Sequence, residues 1–303
     1  MADIKSYNWK PIENLSDDDN KLANSEIASL AKVWEEQKQE LESENRLQDY
    51  ITRQTREWAI ETGILEKVYT IDRGITQVLI EKGIDSSLIP HSSTDKPPEE
   101  VTALINDHAS VVEGLFDFVK NNRELSESYI KEMHSLFTRH QSVCKVLNQA
   151  GELFDVPLEK GVYKKLPNNP QRVNGFLHEY CPPEQVATEM EKLISWHKEH
   201  CDDGVPVEIE AAWLHHRFTQ IHPFQDGNGR IARALATLVF LKDGWLPLVI
   251  TRDQREQYLD SLETADDGDL NELINLFVDI EKKGLIKALS ISGEVLKPNK
   301  ILL

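Results

Sequence analysis

Apolar residues recur every three or four positions along most of this chain, the spacing of one face of an α-helix. Val207, Ala211, Leu214, Phe218 and Ile221 step by four, three, four and three. After a short polar interval Ile231, Ala234, Leu235, Leu238 and Val239 begin a second stripe. The pattern predicts helices over about 184–200, 207–221, 229–243, 253–264 and 269–286. Nearer the start, Ile27, Leu30, Ala31, Trp34, Leu41, Leu47 and Ile51 lie near helical spacing in a Glu/Lys/Gln-rich stretch with little Gly or Pro, which predicts one or two surface helices. A second helical block over about 55–82 ends at Gly83, and the Ser, Asp and Pro of residues 85–98 read as a connector. From Glu99 a helical pattern runs through Phe118, breaks at the polar residues 121–124, restarts with Ser126 as N-cap and continues to about Val146. Pro167, Asn168, Asn169, Pro170 and Gly175 among Val162, Tyr163, Val173 and Phe176 predict a small β-hairpin. No period of 20 to 50 residues recurs, which argues against a solenoid or propeller. The expectation is an all-α fold with a helical core over about 99–286, one small hairpin, a helical N-terminal region over 1–98, and a tail over 287–303.

Charge narrows the partners. The chain has 303 residues with 34 Lys and Arg against 52 Asp and Glu, a formal net charge of −18. Such a balance disfavours a nucleic-acid partner gripped through a basic surface, while leaving room for a local basic pocket that binds one nucleotide. The longest nearly apolar run, residues 234–241, is far short of the roughly 20 residues that span a bilayer, so no membrane helix is expected. The polar, acidic start lacks the basic and apolar stretches of a secretory leader. Cys144, Cys181 and Cys201 form no Cys-x-x-Cys pair, as suits reduced thiols. Together these features predict a cytoplasmic protein.

The polar interval between the two strongest helical stripes carries the chemistry. It reads His222, Pro223, Phe224, Gln225, Asp226, Gly227, Asn228, Gly229 and Arg230. Gly227 and Gly229 permit close approach of a ligand to the backbone, and the following helix points its unpaired N–H groups and positive dipole end at the loop. Arg230 and Arg233, three apart, project from one face of the first turns, an arrangement that suits several phosphates. Asp226 is the hard oxygen ligand magnesium requires, and His222 has the near-neutral pKa of a general base. Gly227, Gly229 and Ala232 also fit a dinucleotide fingerprint, but an amphipathic helix rather than a strand precedes them. Three other groups carry less chemistry. His215 and His216 are adjacent and read as core packing. His197, His200 and Cys201 could join in a metal cluster but lack a fourth ligand, and the scattered tryptophans suit helix packing.

The string HPFQDGNGRIAR, residues 222–233, resembles the Fic motif without departure, and the resemblance extends over about 55–285 to include Arg255, Tyr258 and the acidic turn at 268–270. It implies an all-α Fic core that transfers AMP from ATP to a hydroxyl of a target protein and releases pyrophosphate. Under it His222 is the base, Asp226 holds Mg²⁺, and Gly227, Asn228 and Gly229 line an anion hole. Arg230 and Arg233 bind the β- and γ-phosphates, Phe224 anchors the loop, and Tyr258 lies against the adenine and ribose. The hairpin over about 161–180 becomes a flap that docks the target by strand addition. The resemblance also allows self-modification, a homodimer, and a different reaction on the same scaffold: AMP removal, or transfer of UMP, phosphocholine or phosphate. It further implies an inhibitory helix, over about 55–67, whose Glu pairs with Arg233. Thr62 to Glu66 has the right spacing but is followed by Lys67 where relatives carry Gly or Asn. Ala109 to Glu113, followed by Gly114, competes. Glu66 is favoured because the stretch around Glu113 reads as core helix.

Overall fold

The computed structural model describes residues 7–16, 19–42, 45–147, 153–170 and 177–291. The Glu/Lys/Gln-rich stretch forms α1 (Ser25–Glu42) and α2 (Asn45–Leu65), followed by α3 (Arg73–Lys82), which stops at Gly83. Pro98 opens α4 (Pro98–Lys120), as a residue with no N–H to lose can. The Ser126 hydroxyl caps α5 (Glu127–Phe137) by accepting from the Tyr129 N–H. Beyond these come α6 (Val186–Asp203), α7 (Val207–Ile221), α8 (Asn228–Lys242), α9 (Arg255–Asp266) and α10 (Asn271–Ser290). The later helices lie within a few residues of the ranges their periodicity predicts. The described residues contain no helix long and apolar enough to cross a membrane.

A hairpin stands ahead of the one expected over 161–180. Strands β1 (Val143–Leu147) and β2 (Leu153–Pro157) pair antiparallel, with Cys144 opposite Val156 and Val146 opposite Phe154. The helical pattern read through Val146 therefore ends at Phe137. Cys144 is buried between exposed Val143 and Lys145, an alternation with period two that five residues are too few to announce. The described residues of 161–180 form no strand. Pro167 and Pro170 can donate nothing to a ladder, and the Lys164 N–H is spent on the Pro223 carbonyl. An isolated parallel bridge joins His178 to Tyr7. Residues 171–176, which hold Val173, Gly175 and Phe176 of the expected hairpin, lie outside the described residues.

Helices α7 and α8 pack against each other at the centre and are buried on nearly every side. Residues on both sides of position 98 share one core: Ile27, Trp34, Trp58 and Leu65 cluster with Phe118, Phe218, Phe240 and Phe277. Because α7 is enclosed all round, its polar residues need internal partners. Glu208 accepts the Asn24 N–H, and the Glu13 carbonyl accepts from Trp213 Nε1 and Arg217 Nε. Residues 7–16 and 19–24 are thereby strapped over α6 and α7, the Ile12 N–H bonding Glu189 of α6.

The suspected metal cluster is part of this strapping. His197 and His200 each place Nδ1 2.6 Å from a Glu210 carboxylate oxygen, and His200 Nε2 lies 2.6 Å from Asn14 Oδ1. Burial alone would push the His197 ring down. The Cys201 sulfur and the Glu210 carboxylate outweigh it and raise the ring to about 9. A folded-state pKa above the ordinary value near 6.5 means stability that is full below that value and lost as pH climbs through about 9. The thermal midpoint is therefore expected to fall between pH 6.5 and 10. Glu210→Leu should flatten that slope and cost about 3–5 kcal/mol at neutral pH, measured by denaturant unfolding.

Candidate active site

Helix α7 delivers His222 to its own C-terminus, where the residue takes a left-handed conformation (φ 49°, ψ 58°) and turns the chain into the loop. A non-glycine residue held there is strained backbone, of the kind that persists where surroundings over-determine it. The Nδ1–H faces the Thr219 carbonyl at 3.3 Å, which leaves Nε2 as the ring's acceptor. The Tyr180 ring stacks on the imidazole at 3.7 Å between centroids and 13° between planes. Burial holds the ring well below the usual histidine range. The Lys164 ammonium and His178 act in the same sense, against the Thr219 carbonyl bond.

The loop beyond is clasped from several sides. Phe224 is fully buried, its ring stacked on His134 at 4.0 Å. The Asn228 side chain accepts the Phe224 N–H at 2.9 Å and donates to the Phe224 carbonyl at 2.7 Å, closing the loop on itself. Gly227 (φ +82°) caps α8 in a conformation closed to most side chains. His134 accepts the Gly161 N–H at Nδ1 and so carries its proton on Nε2, which donates to the Asp226 carbonyl at 3.0 Å. Burial pushes this ring down to about 4, so it works as a neutral strut. Asp226 keeps a 38% exposed side chain, Oδ2 accepting from Gln141 Nε2 at 2.5 Å. Gln141 also accepts from Arg230 Nη2 at 2.8 Å.

Both arginines are buried at the start of α8. Arg230 donates to the Phe137 carbonyl and to Gln141, while its buried Nε finds no partner. Arg233 donates from Nη1 to Glu66 Oε1 at 2.8 Å, from Nε to Thr62 Oγ1 at 2.9 Å and from Nη2 to the Thr62 carbonyl at 3.2 Å. Glu66 reaches so far over the helix start that a Cβ on Gly229 would lie 2.2 Å from Oε1. The anion pocket at the head of α8 thus holds a carboxylate of the chain itself.

Local geometry on α2 aims that carboxylate. Val68 N–H bonds the Gly63 carbonyl and Lys67 N–H the Ile64 carbonyl, a Schellman end with Lys67 at φ +54° in the left-handed position. Lys67 thus adopts the conformation that Gly or Asn takes more easily. Five residues before Glu66, Glu61 bonds Arg252 through both oxygens and accepts the Arg252 N–H at 2.7 Å. Arg252 also donates to the Ile71 carbonyl and Thr76.

The structure therefore brings His222, Phe224, Asp226, Gly227, Asn228, Gly229, Arg230, Arg233 and Glu66 together. Glu113 stands exposed on α4. Tyr258 is only 4% exposed, with its hydroxyl 2.8 Å from His215 Nε2 and its ring 6.0 Å from the Arg233 guanidinium, and it presents no open face. His134, Gln141, Lys164 and Arg252 contact the site or its supports and were missed by sequence reasoning, while the contact of Thr62 with Arg233 was not foreseen. Only Thr62 carried a signal, by its four-residue spacing to Glu66.

Residues 124–240 match the family model described as Fic/DOC family. A protein adenylyltransferase Fic from Drosophila persimilis is 32% identical over 130 residues, 43% of this chain and 24% of that protein. The Drosophila melanogaster protein of the same name matches over the same share of this chain and 25% of its own. The chain thus matches about a quarter of the length of these relatives. Among solved structures, a Fic-domain signalling protein from Bacteroides thetaiotaomicron is similar at 25% identity, covering 90% of this chain and 99% of that one, with a TM-score of 0.62. Fic-1 from C. elegans superimposes at TM-score 0.64 and 19% identity over 88% of this chain and 73% of its own.

The Asn228 clasp makes a prediction independent of any ligand. Asn228→Ala leaves the buried N–H of Phe224 without this partner and its carbonyl held by Asn168 alone, and is expected to cost about 1–3 kcal/mol, read by thermal or denaturant unfolding.

Proposed function

We propose that this chain, a member of the Fic/DOC family, transfers AMP from ATP to a hydroxyl side chain of a protein target and is restrained by its own α2. The observation that carries the reading is the paired geometry at the head of α8. A histidine with an accepting Nε2 stands on one side of the loop, and on the other a buried two-arginine anion pocket is filled by Glu66.

In this reading the target hydroxyl loses its proton to His222 Nε2 and its oxygen attacks the α-phosphorus of ATP. The bond to the β-phosphate breaks and pyrophosphate leaves. Little of the chemistry needs covalent help, because nucleotidyl transfer depends on positioning and on charge stabilisation. Arg230, with one donor still unpartnered, serves the β-phosphate. Arg233 serves the γ-phosphate only after it exchanges Glu66 for that ligand, and Tyr258 beneath it acts as a support. The first-turn N–H groups of Gly229 and its neighbours take the remaining oxygens. Asp226, a partly exposed carboxylate at the mouth of the loop, suits Mg²⁺, which binds through one or two carboxylates and phosphate oxygens. When bound, the ion would neutralise charge on the phosphates.

The restraint has a physical basis. Glu66 and a γ-phosphate compete for one guanidinium, and Glu61 with Arg252 keeps α2 in place while they do. Residues 55–67 then form the inhibitory helix and 99–286 the catalytic core, with the protein target docking along 161–180. Glu66 also borders the pocket closely enough to orient a water, which favours AMP removal as the alternative activity.

The test is incubation with Mg²⁺ and α-phosphate-labelled ATP, with and without lysate, read by gel and intact mass. Glu66→Gly is expected to raise labelling of itself or a target, Glu113→Gly to leave it unchanged, and His222→Ala in the Glu66→Gly background to reduce it by about 10²–10⁴-fold while nucleotide binding persists. Absence of label in every sample that binds ATP would turn the reading to AMP removal or another donor.

A further inference from the structure

We propose that Lys164 is a positioning residue for His222: with its partner Asn168 it ties the first part of the 161–180 segment to the backbone on both sides of the histidine, and its buried ammonium keeps the imidazole available as a proton acceptor. This rests on His222 being the base of the proposed reaction.

Lysine is seldom fully buried without a carboxylate, yet Lys164 is 4% exposed and its ammonium bonds neutral oxygens, Asn168 Oδ1 at 2.7 Å and the Ile221 carbonyl at 3.4 Å. Its backbone N–H donates to the Pro223 carbonyl at 2.8 Å, and Asn168 Nδ2 donates to the Phe224 carbonyl at 2.7 Å. The carbonyls of Ile221, Pro223 and Phe224, which bracket His222, are thus held by Lys164 and its partner Asn168. Above them the ammonium sits 5.8 Å from the centre of the Tyr180 ring, and that ring covers the imidazole at 3.7 Å. One segment therefore sets the loop backbone, the plane of the ring and the local field together.

The field has one sign. The groups that act on the His222 ring are the Lys164 ammonium and His178, with the Tyr180 ring on its face and the Thr219 carbonyl at Nδ1. With no carboxylate bonded to it among the described residues, the ammonium's charge is left to oppose protonation of the imidazole. Burial in turn pushes Lys164 down to about 8, with the Cys181 thiol opposing, so the lysine is charged at neutral pH and sheds its proton within the range of ordinary experiments.

The experiment is an NMR titration of ring-labelled histidines in the full chain, with His222 assigned by comparison with His222→Ala. Lys164→Met is expected to raise the His222 midpoint by about one pH unit, and Lys164→Arg, which keeps the cation, to leave it near that of the unaltered chain. A folded Lys164→Met protein with the midpoint unmoved would overturn the proposal. The unaltered chain provides a second measurement: the His222 resonances should show an inflection near pH 8 as Lys164 loses its proton, and a flat profile there counts equally against the proposal. Where the protein transfers label from ATP, the acidic limb of its pH–rate profile should move with the same variant. Failure to transfer label would remove the functional premise while the ring titration still decides whether Lys164 controls His222.

Discussion

Two guanidiniums buried at the positive end of a helix form the constraint around which this molecule is arranged. Arg230 and Arg233 sit in the first turns of α8 with almost no access to water, where the helix dipole adds to their charge. Such a site needs acceptors or an anion. Arg230 takes the Phe137 carbonyl and Gln141, and Arg233 takes Thr62 and Glu66. Because the carboxylate comes from α2, that helix is committed to the head of α8. The Glu61–Arg252 bond then fixes how α2 approaches.

The loop opposite is rigid for a different reason: few of its polar groups are left to themselves. His134 holds the Asp226 carbonyl, Asn228 holds both backbone groups of Phe224, and Gln141 bridges Asp226 and Arg230. Buried neutral histidines make this workable, since an uncharged imidazole can stack on Phe224 and still donate one hydrogen bond. The strain of a left-handed His222 is supported by this surrounding network.

The N-terminal region is integrated rather than appended. Trp34 and Trp58 lie in the main cluster, donating to the Gly244 carbonyl and to Thr237, and Glu13 and Asn24 satisfy polar groups that the enclosed α7 would otherwise leave stranded. A carboxylate carried on such a region is coupled to the core by packing. Local movement of α2 must therefore disturb contacts on both of its faces.

The sequence by itself determined the helices of the core, because period-3.6 burial and capping are local properties, and it determined the loop from His222 to Arg233, because base, carboxylate, glycines and arginines lie within one short string. It also made Glu66 the better candidate over Glu113, by spacing and context. The tertiary structure decided what depends on partners far along the chain. A hairpin forms at 143–157, beginning where the helical pattern continues in the sequence, and Lys164 and Asn168 spend hydrogen bonds on the loop. Tyr258 lies buried 6.0 Å from the Arg233 guanidinium because α9 packs against α7 and α10. His134, Gln141 and Lys164 act on a loop some 60 to 90 residues away, and no pattern of neighbours records such a contact. Periodicity reports which face of a helix is buried; only the assembled packing says which distant group it is buried against.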